Sequence, residues 1–118
     1  MKVYLGIDVG SVATKLAVLD SRSELITHSY LPTQGDPIGT VQQGLRQVRE
    51  CLPQDAKISG VATTGSARYL AGVVVGADLV KNEITCQAVA ARHYIPEVQT
   101  VIEIGGKTAS LLSSETEW

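Results

Sequence analysis

The chain has few cysteines, and they lack the spacing of a metal or redox motif. Cys51 and Cys86 are the two cysteines among 118 residues, and neither has a CxxC partner or a nearby pair of histidines. This usage is typical of reduced thiols packed on helices in a cytoplasmic protein. The length suits one compact domain with a real core but is too short for two full lobes.

Basic tracts and long apolar runs are also missing. The formal net charge is −2, so we expect no nucleic acid and no anionic membrane as a partner. The longest apolar run, residues 70–79, is broken by Gly72, Gly76 and Asp78, so we expect no membrane span. The sequence starts directly with strand residues, without a charged-then-apolar signal segment, which also favours a cytoplasmic protein. With 44% hydrophobic and 19% charged residues, the composition is that of a soluble globular domain.

The first twenty residues carry the most specific pattern. Two apolar runs rich in β-branched residues flank a turn of small residues at Gly10 and Ser11, which predicts a β-hairpin. Asp8 lies near the end of the first strand and can hold Mg²⁺, while the N–H groups of a small-residue turn can converge on an anion. Thr14 and Lys15 follow at positions from which they can reach phosphate oxygens. The pattern predicts a phosphate site without a P-loop, although Asp-x-Gly-Ser also makes ordinary turns.

Strands and helices alternate along the rest of the chain. Asp36 and Pro37 predict a helix start, as N-cap and first helical residue, and apolar residues three or four apart continue that helix up to Pro53. Ser66 is the predicted N-cap of a second, shorter helix. The predicted strands are 2–9, 14–20, 24–31, 58–63, 77–80, 98–104 and 108–113, and the predicted helices are 37–52, 67–75 and 82–94. The order βββαβαβα with a final β-hairpin indicates a mixed α/β sheet of the ribonuclease-H-like type.

The second hairpin repeats the features of the first. Strand, acid, glycine-rich turn and strand occur at Ile7-Asp8-Val9-Gly10-Ser11 and again at Ile102-Glu103-Ile104-Gly105-Gly106. This duplication resembles the two-lobed ATPases of the actin, Hsp70 and sugar-kinase superfamily, in which each lobe contributes one hairpin and the nucleotide lies between them. The resemblance implies that residues 1–96 form a first ATPase lobe and residues 97–118 the first hairpin of a truncated second lobe.

Four blocks of sequence narrow the resemblance. They are Leu5 to Ser11 with Thr14 and Lys15, Ala62 to Gly65 with Arg68, Asn82 to Ala88, and Val101 to Gly106. In this order they resemble the ATPase activators of 2-hydroxyacyl-CoA dehydratases and the related ATPase subunits of benzoyl-CoA reductase (the BadF/BadG/BcrA/BcrD type). The resemblance implies a homodimer that uses ATP to drive an electron onto a CoA-ester dehydratase or reductase component. It also implies a [4Fe–4S] cluster bridged by cysteines beyond the second hairpin, so this chain would hold no cluster ligand.

The resemblance assigns roles to residues of the first lobe. Asp8 matches the acid that organises Mg²⁺, and Gly10 and Ser11 match the turn that faces the phosphates of ATP or ADP. Lys15 matches a lysine common in the family, with a solvated cation at a strand end as the alternative. Glu83 matches the acid that helps position the attacking water, although an acid in the first turn of a helix is favourable for dipole reasons alone.

The second hairpin departs from the family pattern. Glu103 is the third candidate catalytic acid and stands where the family usually has Asp, while Gly105 and Gly106 are candidate phosphate contacts. Lys107-Thr108 replaces the usual Gln-Asp, and Ser110 replaces a usual Lys. Thr108 remains a candidate nucleotide contact because it aligns with a hydroxyl that follows the glycines in Hsp70-like members.

Three functions are compatible with the sequence. The first is the ATP-dependent activator, for which we expect little ATP turnover from this chain alone, because half of the nucleotide contacts would come from a second lobe. The second is a non-catalytic nucleotide-binding or interaction domain, which the departures in the second hairpin favour. The third is a small-molecule kinase of the same superfold, although no segment is long enough to cover a sugar.

Overall fold

The computed structural model describes residues 1–82, Cys86, and the backbone of residues 100–105 and 108–113. Its elements are β1 Lys2–Val9, β2 Ala13–Asp20, β3 Leu25–Pro32, α1 Pro37–Cys51, β4 Lys57–Thr64, α2 Arg68–Val75, β5 Leu79–Val80, β6 Thr100–Gly105 and β7 Thr108–Ser113. These bounds agree with the predicted elements to within about two residues. Cys86 is helical, and the rest of the helix predicted at 82–94 lies outside the described residues, as does the predicted lobe boundary at residue 96.

The first five strands form one mixed sheet in the order β3-β2-β1-β4-β5. β1 pairs antiparallel with β2, and β2 pairs antiparallel with β3, as expected for a meander. β4 lies parallel to β1 and β5 parallel to β4, as the helical connections α1 and α2 require. β6 and β7 form a separate two-stranded antiparallel sheet. The predicted mixed α/β class is therefore confirmed.

The hydrophobic core lies between this sheet and the two helices. Side chains alternate across a strand, and every second residue of β1 is buried beneath the helices. The core side chains are Val3, Leu5, Ile7, Val9, Leu16, Val18, Val41, Val48 and Ala71. Burying a side chain as large as leucine or isoleucine stabilises the fold by roughly 1.5–3 kcal/mol. Because α1 and α2 cover one face, the intervening residues of β1 and β2 lie on the opposite face of the sheet.

Helix α1 begins as the sequence predicts. The Asp36 carboxylate accepts a hydrogen bond from the Gly39 N–H at 3.0 Å, and Pro37 is the first helical residue. Gly44 lets the helix approach β2 closely, since a Cβ there would lie 2.5 Å from the Leu16 Cδ1 atom. The helix therefore lies against the sheet directly above the strand that follows the first turn. No helix of the described part of the chain is long and apolar enough to cross a membrane.

Helix α2 begins differently from the prediction. Ser66 was predicted as its N-cap, but Ala67 takes that position without a side-chain hydrogen bond. The Ser66 hydroxyl instead approaches the Val9 carbonyl oxygen at 3.4 Å, and the Ala67 N–H donates to the same oxygen at 3.1 Å. The prediction was wrong because the parallel pairing of β1 with β4 places a carbonyl acceptor within reach of these residues. This tertiary hydrogen bonding replaces the local cap and ties the start of α2 to the end of β1.

Candidate functional site

Asp8 lies at the edge of the sheet where β1 and β4 both end. It is opposite Lys15 on β2 and opposite Thr64 on β4. Its side chain is half-buried on the face away from α1 and α2. In open sheets with parallel strands, the carboxyl edge is where ligands bind, because loops from neighbouring strands meet there. The predicted position of Asp8 beside the first turn is therefore present in the structure.

The turn after β1 spans residues 10–12 and presents its outer surface to solvent. The Gly10 N–H donates to the Ala13 carbonyl oxygen at 2.9 Å and closes the turn. A Cβ at Gly10 would lie 2.9 Å from that same oxygen, so a larger residue would force the turn open. Ser11 and Val12 are exposed. A tight turn of small residues with an open outer surface can bring backbone N–H groups to an anion.

Two buried threonines support the turn from within. The Thr33 hydroxyl donates to the Gly10 carbonyl oxygen at 2.8 Å, and the Thr33 N–H donates to the Val12 carbonyl oxygen at 3.0 Å. The Thr14 and Thr33 hydroxyl oxygens are 2.9 Å apart. Because the single proton of Thr33 goes to Gly10, Thr14 is the donor between the two hydroxyls.

This arrangement corrects the expectation for Thr14. Its side chain is 0% exposed, so its hydroxyl does not reach a phosphate at the surface and instead holds Thr33 in place. Thr33 was not among the predicted site residues, because its contact with the turn comes from the β3–α1 loop, 23 residues further along the chain than Gly10. No local sequence signal reveals such a contact.

The loop between β4 and α2 forms the other wall of the site. Gly65 has φ +94°, and a Cβ there would meet the Val9 carbonyl and lie 2.6 Å from the Asp8 Oδ1 atom. The Arg68 guanidinium donates to the Gly65 carbonyl oxygen at 3.0 Å, and the Thr63 hydroxyl donates to the Arg68 carbonyl oxygen at 2.8 Å. These contacts fix the conformation of the loop, and the hydrogen bond from the Ala67 N–H to the Val9 carbonyl oxygen holds it beside the end of β1. The sequence block at 62–68 pointed to this segment but did not indicate that it lies beside Asp8.

Four side chains form a row across the sheet at this edge. Thr64 is opposite Asp8, Asp8 is opposite Lys15, and Lys15 is opposite Tyr30. We call Thr64, Asp8, Lys15 and Tyr30 the cross-strand row. The Lys15 Nζ atom lies 5.8 Å from the centroid of the Tyr30 ring, within the range of a cation–π contact. The Thr64 hydroxyl is buried and has no hydrogen-bond partner among the described residues.

The site fits a hydrated magnesium ion better than a metal enclosed by protein. No three Asp, Glu, His or Cys side chains come together in the part of the chain that the structure describes. Mg²⁺ usually keeps several waters and takes only one or two carboxylates along with phosphate oxygens. Asp8 supplies one such carboxylate. The unsatisfied Thr64 hydroxyl beside it is a donor or acceptor for a bound water or phosphate oxygen, and Gly65 leaves the space that a side chain would fill.

The second hairpin pairs in the same register as the first. Glu103 is opposite Ser110, as Asp8 is opposite Lys15, and Gly105 is opposite Thr108 at the turn. The predicted second hairpin is therefore present. Two candidate residues, Glu83 and Gly106, lie outside the described residues, as do the side chains of Glu103 and Thr108. Their predicted roles remain predictions.

Comparison with known proteins gives the family. A profile described as the BadF/BadG/BcrA/BcrD ATPase family matches residues 5–113. The chain belongs to this family. The match includes the first turn, the β4–α2 loop and both hairpins, so the resemblance noted in the four sequence blocks is confirmed.

Relatives within the family include activating ATPases of CoA-ester dehydratases. The (R)-2-hydroxyglutaryl-CoA dehydratase activating ATPase of Acidaminococcus fermentans is 34% identical over 119 residues, which cover 98% of this chain and 44% of that protein. The chain thus spans less than half the length of this relative.

Solved structures of family members show the same fold. The A. fermentans (R)-2-hydroxyglutaryl-CoA dehydratase component A superposes with a TM-score of 0.76 at 27% identity, over 96% of this chain and 43% of that one. The activator of the 2-hydroxyisocaproyl-CoA dehydratase from Clostridium difficile, with bound ADPNP, gives a TM-score of 0.74 at 25% identity. The match covers 94% of this chain and 40% of that one. The actin/Hsp70-type ATPase fold expected from the duplicated hairpin is therefore confirmed.

Proposed function

We propose that this chain is the nucleotide-binding first lobe of an ATP-dependent activator of a CoA-ester dehydratase or reductase component. The observation that carries the proposal is the placement of Asp8 between a solvent-facing glycine turn and the Gly65 loop. Membership in an ATPase family with dehydratase activators supports it. The ligand of this site would be ATP or ADP with Mg²⁺.

Each group at the site has a distinct task in this proposal. Asp8 holds Mg²⁺ directly or through water, and the ion neutralises negative charge on the phosphate oxygens when bound. The N–H groups of the turn, together with Ser11, face the phosphates. Lys15 contributes a positive charge at a position directly opposite Asp8. Gly10 keeps the turn tight, and buried Thr33 holds it against the sheet.

The second hairpin supplies the other half of the proposed nucleotide site. In the activator, Gly105, Gly106 and Thr108 contact the phosphates from the opposite side, and Glu103 is the acid of that hairpin. Glu83 orients the water that attacks the γ-phosphate. Phosphoryl transfer depends mainly on positioning and charge stabilisation by the complete site, so this chain, which spans less than half the length of its activator relative, is expected to hydrolyse little ATP alone.

The role of the complete protein is part of the same proposal. We infer a cytoplasmic homodimer that couples ATP hydrolysis to electron transfer onto its partner enzyme. Its [4Fe–4S] cluster would be held outside this chain: Cys51 is exposed on the last turn of α1, Cys86 is half-buried, and neither belongs to a cluster of potential ligands among the described residues.

A nucleotide-binding domain without hydrolysis is the second candidate. It is favoured by the register of the second hairpin, in which Glu103 is opposite Ser110 where the first hairpin pairs Asp8 with a lysine. A missing ammonium group at this position would remove one source of charge stabilisation for phosphoryl transfer. Both candidates share the Mg²⁺-nucleotide site around Asp8, so the first experiment addresses that site.

The test replaces Asp8 with asparagine and measures binding of ATP by calorimetry with and without Mg²⁺. We expect Asp8→Asn to abolish Mg²⁺-dependent binding while the fold persists, because the half-buried side chain lies at a strand end and is not part of the apolar core. Glu50→Gln is the matched control, since it also removes one negative charge. Glu50 lies in the last turn of α1, and the chain runs from there to the start of β4, at the edge of the sheet opposite Asp8. If ATP binding depends on Mg²⁺ equally in Asp8→Asn and in the parent chain, Asp8 does not belong to the site.

A further inference from the structure

One buried hydroxyl group lacks a hydrogen-bond partner at the edge of the sheet where β1, β4 and β5 end. Among the described residues, the Thr64 hydroxyl is the single buried side-chain oxygen or nitrogen without a partner. Folded proteins pair nearly all such groups, because a buried hydroxyl without a hydrogen bond has lost its contacts with water and gained none in return. The Thr64 hydroxyl therefore requires an explanation that the packing of the sheet does not give.

The preceding residue shows how this part of the fold satisfies a buried hydroxyl. Thr63 is 2% exposed, and its hydroxyl donates to the Arg68 carbonyl oxygen at 2.8 Å. Side chains alternate across a strand, so Thr63 lies on the face covered by α2, and Thr64 lies on the opposite face together with Asp8. One hydroxyl thus stabilises the start of α2, whereas the Thr64 hydroxyl makes no hydrogen bond within the described part of the chain.

Thr64 lies at the point of the sheet where two neighbouring parallel strands continue in opposite directions. The chain runs from β1 to β2 on one side, and from β4 through α2 to β5 on the other side. In open sheets, ligands bind outside the carboxyl ends of the strands at such a point, because the connecting segments separate there. Thr64 is the last residue of β4, so its side chain stands at the position where the topology favours a ligand.

A phosphate oxygen is a suitable partner for this hydroxyl. A threonine hydroxyl has one proton to donate, and an anionic phosphate oxygen accepts hydrogen bonds only, which makes the bond between them charge-assisted and strong. The Thr64 hydroxyl oxygen is buried, but the residue as a whole is only half-buried. Rotation about the Cα–Cβ bond moves a threonine hydroxyl among staggered positions, so it can turn toward a ligand at the exposed side of the residue without a change in the backbone.

We propose that Thr64 is a nucleotide-binding residue whose hydroxyl donates to a phosphate oxygen of the bound Mg²⁺-nucleotide. The proposal rests on the proposed nucleotide-binding function and adds to that site a residue of β4, outside both hairpins. In the free protein the hydroxyl is buried without a partner, and the ligand supplies the missing acceptor. The hydroxyl therefore lowers the stability of the free protein and contributes to the binding of the nucleotide.

The first test measures the binding of Mg²⁺-ADPNP to the whole chain by calorimetry. Thr64→Val keeps the shape of the side chain and removes the hydroxyl. We expect its dissociation constant to rise about ten- to hundredfold, the range of a hydrogen bond to a charged group. Thr64→Ser keeps the hydroxyl and should bind nearly as tightly as the parent chain. Thr27→Val, on half-buried Thr27 of β3, is the matched control and should bind as the parent does.

Urea unfolding without nucleotide separates a ligand-binding role from a structural one. Thr64→Val is expected to unfold at the same urea concentration as the parent or at a higher one, because it removes a buried polar group and breaks no hydrogen bond of the fold. Thr63→Val is the matched comparison and should unfold at a lower concentration, because the Arg68 carbonyl oxygen loses its donor. The same substitution at two adjacent threonines therefore has different effects on stability.

Three results would overturn the inference. Parent-like binding by Thr64→Val would show that the nucleotide does not use the hydroxyl. A urea midpoint of Thr64→Val below that of the parent would show that the hydroxyl has a structural role and that any loss of binding follows from it. No Mg²⁺-dependent binding by the parent chain would overturn the proposed function and the inference together, whereas the first two results leave the proposed function standing.

Discussion

Single residues at the carboxyl edge of the sheet determine whether the site can exist. Gly65 shows this most clearly, because it combines a left-handed backbone with close contact to Asp8. The sequence places a glycine after β4, which is compatible with any ordinary turn. The importance of Gly65 depends on the parallel pairing of β1 with β4. That pairing places Thr64 opposite Asp8, and Gly65 therefore lies against the Asp8 carboxylate.

Gly65→Ala is expected to destabilise the fold and to eliminate Mg²⁺-ADPNP binding. A side chain at φ +94° costs about 1–3 kcal/mol, and its Cβ would press on the Asp8 carboxylate and the Val9 carbonyl. Urea unfolding and calorimetry measure the two effects. Gly35→Ala is the matched control: Gly35 has φ +71° with nothing within 4 Å of a Cβ, so stability should fall by about 1–2 kcal/mol while binding persists. Unchanged binding by Gly65→Ala would show that this loop does not shape the site.

At the scale of the elements, the sequence predicts the strands and helices well and their junctions less well. Apolar runs rich in β-branched residues identified β1 and β2, and the Asp36-Pro37 pair identified the start of α1, because these signals are local. Ser66 was assigned wrongly as a cap, and Thr14 was expected at a phosphate, because both side chains bond to partners distant in sequence. The position of Asp8 beside Gly10 could be predicted because the acid and the turn lie within one hairpin, whereas their roles at a nucleotide stay predictions.

The connection from β3 to α1 provides the next prediction. Thr33 bonds to Gly10 and Thr14 and so links this loop to the turn after β1. Thr33→Val preserves the shape but leaves both partners without their hydrogen bonds, at an expected cost of about 1–3 kcal/mol. Thermal or urea unfolding should show this loss, and Mg²⁺-ADPNP affinity should fall because the turn loses its support. Thr27→Val, on half-buried Thr27 of β3, is the control and should change neither quantity. A stable Thr33→Val with parent-like affinity would show that the turn holds its shape alone.

At the scale of the whole molecule, the two sheets differ in the number of their strands and in the helices that cover them. The first sheet has five strands and two covering helices, whereas β6 and β7 pair only with each other among the described residues. A two-stranded hairpin is marginally stable in water, and strands with unpaired edges tend to pair with another chain. The segment is also apolar in sequence, with Val101, Ile102, Ile104, Leu111 and Leu112.

We therefore expect the chain to self-associate through residues 97–118, as a symmetric dimer. In a symmetric dimer, an edge strand of each hairpin pairs with the same edge strand of its partner. This contact is closed, so it does not extend into longer assemblies. Light scattering of the full chain, compared with a version ended at Pro96, measures the difference. The shorter version should be monomeric at concentrations where the full chain is dimeric. Its circular dichroism spectrum should still be that of a folded protein with the five-stranded sheet. If both versions are monomers at high concentration, the hairpin is covered by its own chain, and any homodimer of the complete protein must form through a different surface.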